Sequence, residues 1–386
     1  MSWLFIEPTD VWLFRDGKPF DAGSDHRARS LFPANPTTVQ GALRSELLLA
    51  SGAPLPDFGE GETKAQDQRS RIIGNIIGWP GEMPHFALNG PYVARHDNGR
   101  YTRYFSVPAD MVKIKENNKD IYIALAPLQQ PPFQANWPQD GLLPLWARTT
   151  SALTEVKGWV SETDLQTWLN GQSTTLFPIV VHHDEHLFAH ESRFGVGLDS
   201  QVKRPQEGLL YQVEFVRPRT NVGLLVEVDD SRLIAPIQWP DDRLLGMGGE
   251  SRGAHYTVVN SYSPPQPQLP PMGQDGKTRL RLYFATPSWF AGGWTAANWG
   301  NWLSGNNLCL VAAAVRRAQP IGGAKIDTVN QAGNFQKTMQ RYVPAGSVFF
   351  FEADGTVNYT GKPVTDSPDE GKIGFGQVLF GAWNYA

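Results

Sequence analysis

SPPQPQLPPMGQDGK, residues 263–277, divides the chain. Five prolines fall in the nine residues 264–272. Proline lacks a backbone N–H and fixes φ, so such a run cannot serve as a core strand or helix. It predicts an extended, solvated linker over 263–276, with one unit on either side, 1–262 and 277–386. On the N-terminal side the order reads strand, helix, a long irregular stretch at about 53–190, two strands, a Gly-rich turn and a strand. On the C-terminal side it reads strand, helix, strand, strand and a Gly-rich terminal strand.

Each half therefore follows a βαββαβ plan, the split βαβ or ferredoxin-like arrangement, and the expected fold class is α+β with two such domains in tandem. The strands are expected at Trp3–Ile6, Tyr122–Leu125, Leu209–Val216, Leu224–Val228, Arg279–Phe284, Leu308–Val315 and Ser347–Glu352, each rich in β-branched, aromatic or aliphatic residues. The clearest helix spans Thr38–Ser51, with Thr37 or Thr38 as N-cap, Val39, Leu43, Leu47 and Ala50 as its apolar stripe, and Gly52 at its end. Ser161–Asn170 has a capping-box opening, and a third helix is expected near Ala296–Ser304. Residues 53–190 read as an insertion on the first domain.

Hydrophobic residues make up 41% of the 386, and charged residues 19%, which excludes an intrinsically disordered chain. The net charge of −4 excludes a polycation but leaves room for one basic face. The one cysteine, Cys309, excludes an internal disulfide and a cysteine zinc site, and suits a reducing compartment. Its apolar neighbours make it a small core residue. No apolar run approaches the ~20 residues of a membrane helix, and the N-terminus lacks the form of a signal peptide, so a cytoplasmic protein is expected.

Five stretches are weighed for chemistry. Residues 14–33 hold Arg15, Lys18, His26, Arg27 and Arg29 ahead of a helix N-terminus, a pattern suited to phosphate. An ordinary solvated loop neutralised by Asp16, Asp21 and Asp25 is the other reading. Residues 192–219 read as a long β-hairpin with a basic tip carrying Lys203 and Arg204, either a finger laid along nucleic-acid backbone or a plain surface hairpin. In LLGMGGESRGAHY, 244–256, four glycines surround Arg252 but match neither a Walker loop nor GxGxxG. IGFGQVLF, 373–380, follows part of an RNA-recognition strand pattern, yet Gln377 stands where a stacking aromatic is needed, so it reads as a packed strand after a tight turn. His182, His183, His186 and His190 cluster without the Glu of HExxH and are read as structural, with no metal and no cofactor implied. For metal-independent RNA cleavage, His26 beside Arg27 and Arg29 is the first candidate general base, and His255 the second.

FIEPTDVWLFRDGKPFDAGSDHRARSLFPANPTTVQGALRS, 5–45, resembles the N-terminus of the Cmr-module CRISPR subunit that holds the 5′ end of the guide RNA, a member of the RAMP superfamily in type III-B effectors. The likeness continues through RFGVGLD, EGLLY, LGMGGESR, PSWFAGGW, QPIGGAKID and VPAGSVFFFE, and is weakest over 53–190. It implies two ferredoxin-like domains and a non-catalytic, cytoplasmic role in antiviral defence. The partners it implies are the repeat-derived 5′ tag of the crRNA, a large polymerase-like subunit, an adjacent backbone RAMP subunit and, indirectly, target RNA. By the same resemblance Arg15, Lys18, His26, Arg27 and Arg29 face the tag, and Thr37, Thr38, Gln40 and Arg44 sit near its phosphates. Gly246, Gly248, Gly249, Glu250, Ser251 and Arg252 cradle the RNA backbone. The hairpin at about 193–212, with Arg193, Lys203 and Arg204, is the thumb that wedges the guide–target duplex. A metal-independent endoribonuclease that processes repeat RNA through His26 is the alternative.

Overall fold

The computed structural model describes the chain apart from residues 17–26, 117, 134–138, 140, 172–178, 199–203, 232, 234–238, 240–242, 261, 266 and 325–335. It is a mixed α+β protein, rich in sheet and poor in helix. The first half contributes β1 (Ser2–Pro8), α1 (Pro36–Ala50), α2 (Gln68–Ile77), β2 (Leu88–Asp97), β3 (Arg100–Ser106), β4 (Trp159–Ser161), α3 (Glu162–Asn170), β5 (Val181–His182), β6 (Phe188–Leu198), β7 (Pro205–Pro218), β8 (Val222–Val228), β9 (Arg243–Gly246) and β10 (Gly253–Val259). The second half contributes β11 (Lys277–Phe284), β12 (Leu303–Ala314), β13 (Gln319–Ala324), β14 (Gln336–Tyr342), β15 (Val348–Tyr359) and β16 (Val378–Ala382).

The first sheet runs β5-β4-β3-β2-β8-β1-β10-β9, and the second runs β12-β15-β11-β16. In the second sheet the first strand, β11, lies between β15 and β16 with β12 outermost, and the middle of the first sheet, β2-β8-β1-β10, has the same antiparallel arrangement with β3, β4, β5 and β9 added outside it. β2 falls inside the stretch that reads as insertion. Gly90 and Pro91 interrupt its apolar run and hide it from a pattern search. The hairpin β6–β7 and the ribbon β13–β14 stand apart from the two sheets.

The two faces of β1 divide the core as period-two alternation requires. Leu4 and Ile6 pack with α1 and α2 through Val39, Leu43, Leu47, Ile73 and Ile77. Trp3 and Phe5 face a second core shared by both halves. It joins Leu165, Trp168 and Leu169 of α3 to Tyr283, Val348, Phe350 and Trp383 of the second sheet. Closest to the join, Leu169 O would lie 2.1 Å from a Cβ at Gly381, so only glycine lets the end of α3 rest on β16. One ion pair is sealed there. Arg281 Nε stands 3.5 Å from Asp110 Oδ2, and both side chains are wholly buried. Trp168 donates from Nε1 to Asp110 Oδ1 at 3.2 Å, and Arg281 donates to the Trp168 carbonyl at 3.2 Å.

Several expectations are corrected. Proline at the first helical position starts α1 at Pro36, so Asn35 rather than Thr37 or Thr38 is the N-cap residue, and no side chain caps the helix. No long helix forms at 296–304. Asn298 accepts from Gly300 N to close a single 3-10 turn at Trp299–Asn301, and β12 follows at once. Glycines at 292, 293, 300 and 305 deny that region helical propensity. Its aromatics cover the outer face of the second sheet instead, with Trp299 4.8 Å from Phe351. Cys309 is exposed, because strand alternation turns it to solvent between half-buried Leu308 and Leu310. Ile373 and Phe375 are buried within a turn, and the strand itself begins only at Val378.

The expected helix at 161–170 forms as α3, with Ser161 Oγ accepting from Asp164 N. Residues 263–276 hold no strand or helix among the described residues. Tyr262, just before them, donates to Glu162 at 2.8 Å.

Candidate nucleic-acid interface

Three sequence-distant segments converge at the base of the hairpin. Val11, Trp12 and Leu13 are apolar and buried, which anchors the N-terminal loop, and Trp12 exchanges backbone hydrogen bonds with Val216 on β7. The returning arm is pinned by Asp16 N to Arg29 O at 3.0 Å and Leu31 N to Phe14 O at 2.8 Å. Arg27–Ala28 then adds a short parallel strand to β7. The third segment is the Gly-rich loop. Gly249 N donates to Leu13 O at 2.8 Å, and Met247 N closes the loop on Arg252 O at 2.9 Å. Gly248 has φ +90°, and a Cβ there would meet Leu13 O at 2.7 Å, so both its conformation and its packing demand glycine.

Phe215 is the hub. It is buried, and the guanidinium carbons of Arg252 and Arg193 lie 4.6 and 4.9 Å from its ring centroid. Arginine stacks on aromatic faces through its flat delocalised cation, which holds the head group in place. Carboxylates surround the same cations. Arg193 pairs with Glu191 at 2.6 Å and Asp10 at 3.2 Å, and Arg217 pairs with both at 2.7 and 2.9 Å. Hydrogen bonds from Arg193 and then Arg217 hold the Asp10 and Glu191 carboxyls below their ordinary range. Arg27 pairs with Glu214 at 2.9 Å, on which His190 also rests at 3.3 Å, and Arg252 pairs with Glu250 at 2.7 Å.

The structure thus brings together Arg15, Arg27, Arg29, Arg193 and the loop Gly246, Gly248, Gly249, Glu250, Ser251 and Arg252. Arg15 and Arg29 are exposed on the two arms of the N-terminal loop, and Arg204 is exposed where β7 begins. Lys18, His26 and Lys203 lie outside the described residues. Thr37, Thr38 and Gln40 occupy the first turns of α1, half-buried, away from the Phe215 hub's contacts. Arg44 is committed elsewhere. It donates to the carbonyls of Gly78, Trp79 and Glu82 at 2.8, 2.6 and 2.9 Å, tying α1 to the end of α2.

A second feature escapes sequence reading. A cleft of about 500 Å³ opens between the halves where α1 begins. Asn35 and Pro36 meet Lys157, Arg316, Arg317 and Gln319 across it, and Gln319 Nε2 reaches Asn35 Oδ1 at 3.4 Å. The first turn of α1 holds no acidic residue, so its positive dipole end is not offset there. Arg316 donates to Val156 O at 2.8 Å, and Lys157 stands 3.9 Å from Glu155. The dibasic step Arg316–Arg317 after a strong strand was the available signal.

Among the described residues the histidines are placed apart or on carboxylates. His183 N donates to His186 Nδ1 at 3.2 Å, His190 faces Glu214, and His255 stands 3.4 Å from Glu7. Among the described residues no group of three or more His, Cys, Asp or Glu is placed to hold a metal ion. No helix there is long and apolar enough to cross a membrane.

Comparison with known proteins places the chain in a family. Among curated proteins none matches the chain. Two cryo-EM structures are similar: type III-B Cmr-beta bound to cognate target RNA and AMPPnP, and the same complex bound to cognate target RNA. Each is 14% identical, covering 90% of this chain and 86% of the other, with TM-scores of 0.42 and 0.43 respectively. The family model described as CRISPR-associated protein (Cas_Cmr3) matches residues 4–383, nearly the whole length. The chain belongs to the Cmr3 family of CRISPR-associated proteins, subunits of the Cmr module.

Proposed function

We propose that this subunit of a type III-B effector complex is a non-catalytic RNA-binding protein that holds the repeat-derived 5′ tag of the crRNA and docks the large polymerase-like subunit beside it. The observation that carries the reading is the convergence of the N-terminal loop, the hairpin base and the Gly-rich loop on Phe215. It presents several arginines at one place on a chain of net charge −4. Arginine and backbone N–H groups bind phosphate without reading sequence, and splayed bases supply the specificity of single-stranded RNA. The thumb assigned to 193–212 and the adjacent backbone RAMP subunit as its neighbour belong to the same reading. So do target RNA as an indirect partner and the tandem ferredoxin-like organisation. The order β10-β1-β8-β2 at the middle of the first sheet and β16-β11-β15-β12 in the second both fit 4-1-3-2 and support that organisation, with α1 after the first strand of the first half and a single 3-10 turn in the corresponding place of the second.

The experiment is purification of the tagged chain from its host, with sequencing of the bound RNA and identification of co-purifying proteins. RNAs that share one repeat-derived 5′ end, together with a large polymerase-like chain, support the proposal. Incubating the pure protein with repeat RNA in EDTA tests the alternative. Defined cleavage that is lost in His26→Ala replaces the scaffold reading with the endoribonuclease.

A further inference from the structure

A second cavity lies on the far side of Arg316 from the inter-half cleft. Its volume is about 620 Å³, and its walls are mainly apolar. Residues 142–145 close one side, held to the edge of β12 by Leu143 N donating to Val311 O at 2.8 Å. Trp294 lines another side, its ring nearly parallel to that of Phe349 with 6° between their planes. Among the described residues the charged ones that line the cavity are Arg316 and Arg341, with no carboxylate among them. That contrasts with the hairpin base, where the cations of Arg27, Arg193 and Arg252 already have carboxylate partners.

We propose that this cavity receives one unstacked nucleobase of a single-stranded RNA, with the flanking phosphates on Arg316 and Arg341. An apolar slot with an indole in its wall matches the face of a base. Aromatic and apolar side chains are what take up splayed bases in single-stranded recognition. The cationic charge of the described walls complements phosphate, the anionic group of RNA. Continuity with the basic cleft is supplied by Arg316, which lines both spaces. The inference rests on the RNA-binding reading above, but concerns a place that reading does not use.

The test compares labelled oligo-uridine with an abasic ribose-phosphate chain of equal length by fluorescence anisotropy, on the full chain. The backbone charge is the same in both, so the difference reads base contacts. The wild type should prefer oligo-uridine by roughly 5- to 100-fold, the range that base–aromatic stacking gives. Trp294→Leu, and independently Ala313→Phe, which fills the slot, should each remove at least about fivefold of that preference while leaving the salt dependence unchanged. Arg341→Ala should weaken both probes alike. Thermal melts confirm that each variant is folded, and Ala313→Phe serves where Trp294→Leu does not fold. Full retention of the preference in a folded slot-filling variant overturns the proposal. Failure of the wild type to bind either probe overturns the RNA-binding reading as well, and so is told apart. Hydrogen-exchange protection of 142–145 that arises with partner proteins but not with RNA would overturn the proposal in favour of a protein segment.

Discussion

Removing Arg281 while leaving Asp110 should destabilise the join between the halves by an amount that chemistry caps. Both side chains are wholly buried, so an Asp110 carboxylate left alone cannot be solvated. Burial already pushes the Asp110 carboxyl upward, with Arg281 opposing. In Arg281→Met, Asp110 takes a proton instead of remaining charged. An aspartate with an ordinary pKa near 3.9 costs about 4 kcal/mol to protonate at pH 7, at 1.36 kcal/mol per unit. At pH 5 the same cost is about 1.5 kcal/mol. The sign follows from linkage. The folded variant holds a proton that the unfolded chain releases, so its stability relative to wild type rises as pH falls towards 4. Urea denaturation followed by tryptophan fluorescence should show the midpoint of Arg281→Met lowered by about 1 M or more at pH 7, for a slope near 3 kcal/mol/M. Most of that gap should close at pH 5. Asp110→Asn combined with Arg281→Met keeps an acceptor for Trp168 and should lie within about 1 kcal/mol of wild type. A pH-independent deficit in the single variant would refute the reasoning, because it would mean lost packing rather than a stranded charge.

Three further outcomes are expected. Arg29→Ala should reduce the slope of log K against log salt for single-stranded RNA by about 0.7, and Arg27→Ala by less, because Glu214 already offsets Arg27. Glu214→Gln should tighten RNA binding, and titrations across a salt series check all three variants. Gly248→Ala forces a non-glycine residue to φ +90° against Leu13 O, and should weaken RNA binding without altering the salt slope. Asp10 and Glu191 have depressed folded pKa values, so their contribution is present above about pH 4 and is lost as pH falls below it. Amide protection factors across β6 and β7, taken against the intrinsic exchange rate at each pH, should therefore hold steady from pH 7 to 5 and fall below about pH 4.

Local signals were legible where local physics governed them. α3 forms where its serine cap and acidic first turn place it, and β1, β8, β11 and β15 lie where their aliphatic and aromatic runs fall. Gly90 and Pro91 hide β2, and the glycines around 296–304 leave a single 3-10 turn where a helix is expected. Cys309 was misplaced because apolar neighbours do not reveal which face of an edge strand is wet. At the candidate site the arginines were visible one by one. Their carboxylate partners were not, since Asp10, Glu191 and Glu214 come from three separate elements. Nor could spacing alone show Phe215 as the ring that gathers Arg193 and Arg252.

Those pairings bear on how an acidic protein could carry RNA. If phosphate is bound at this face as proposed, each arginine exchanges a carboxylate for a phosphate instead of gaining a partner from water. Exposed ion pairs contribute only about 0–1 kcal/mol each, so the exchange costs little. The pairs do more before RNA arrives. Arg193 and Arg217 clamp Asp10 and Glu191, which fixes the N-terminal loop against the hairpin, and Arg27 does the same through Glu214. A guanidinium resting on Phe215 keeps its planar fork in place, so less rotamer freedom is lost on meeting phosphate than a lysine would lose. Affinity would then come from arrangement more than from net charge. It follows that Arg252→Lys, which preserves the charge but forfeits the flat stacking surface, should weaken RNA binding nearly as much as Arg252→Ala. Equal binding by Arg252→Lys and wild type would show that charge alone suffices.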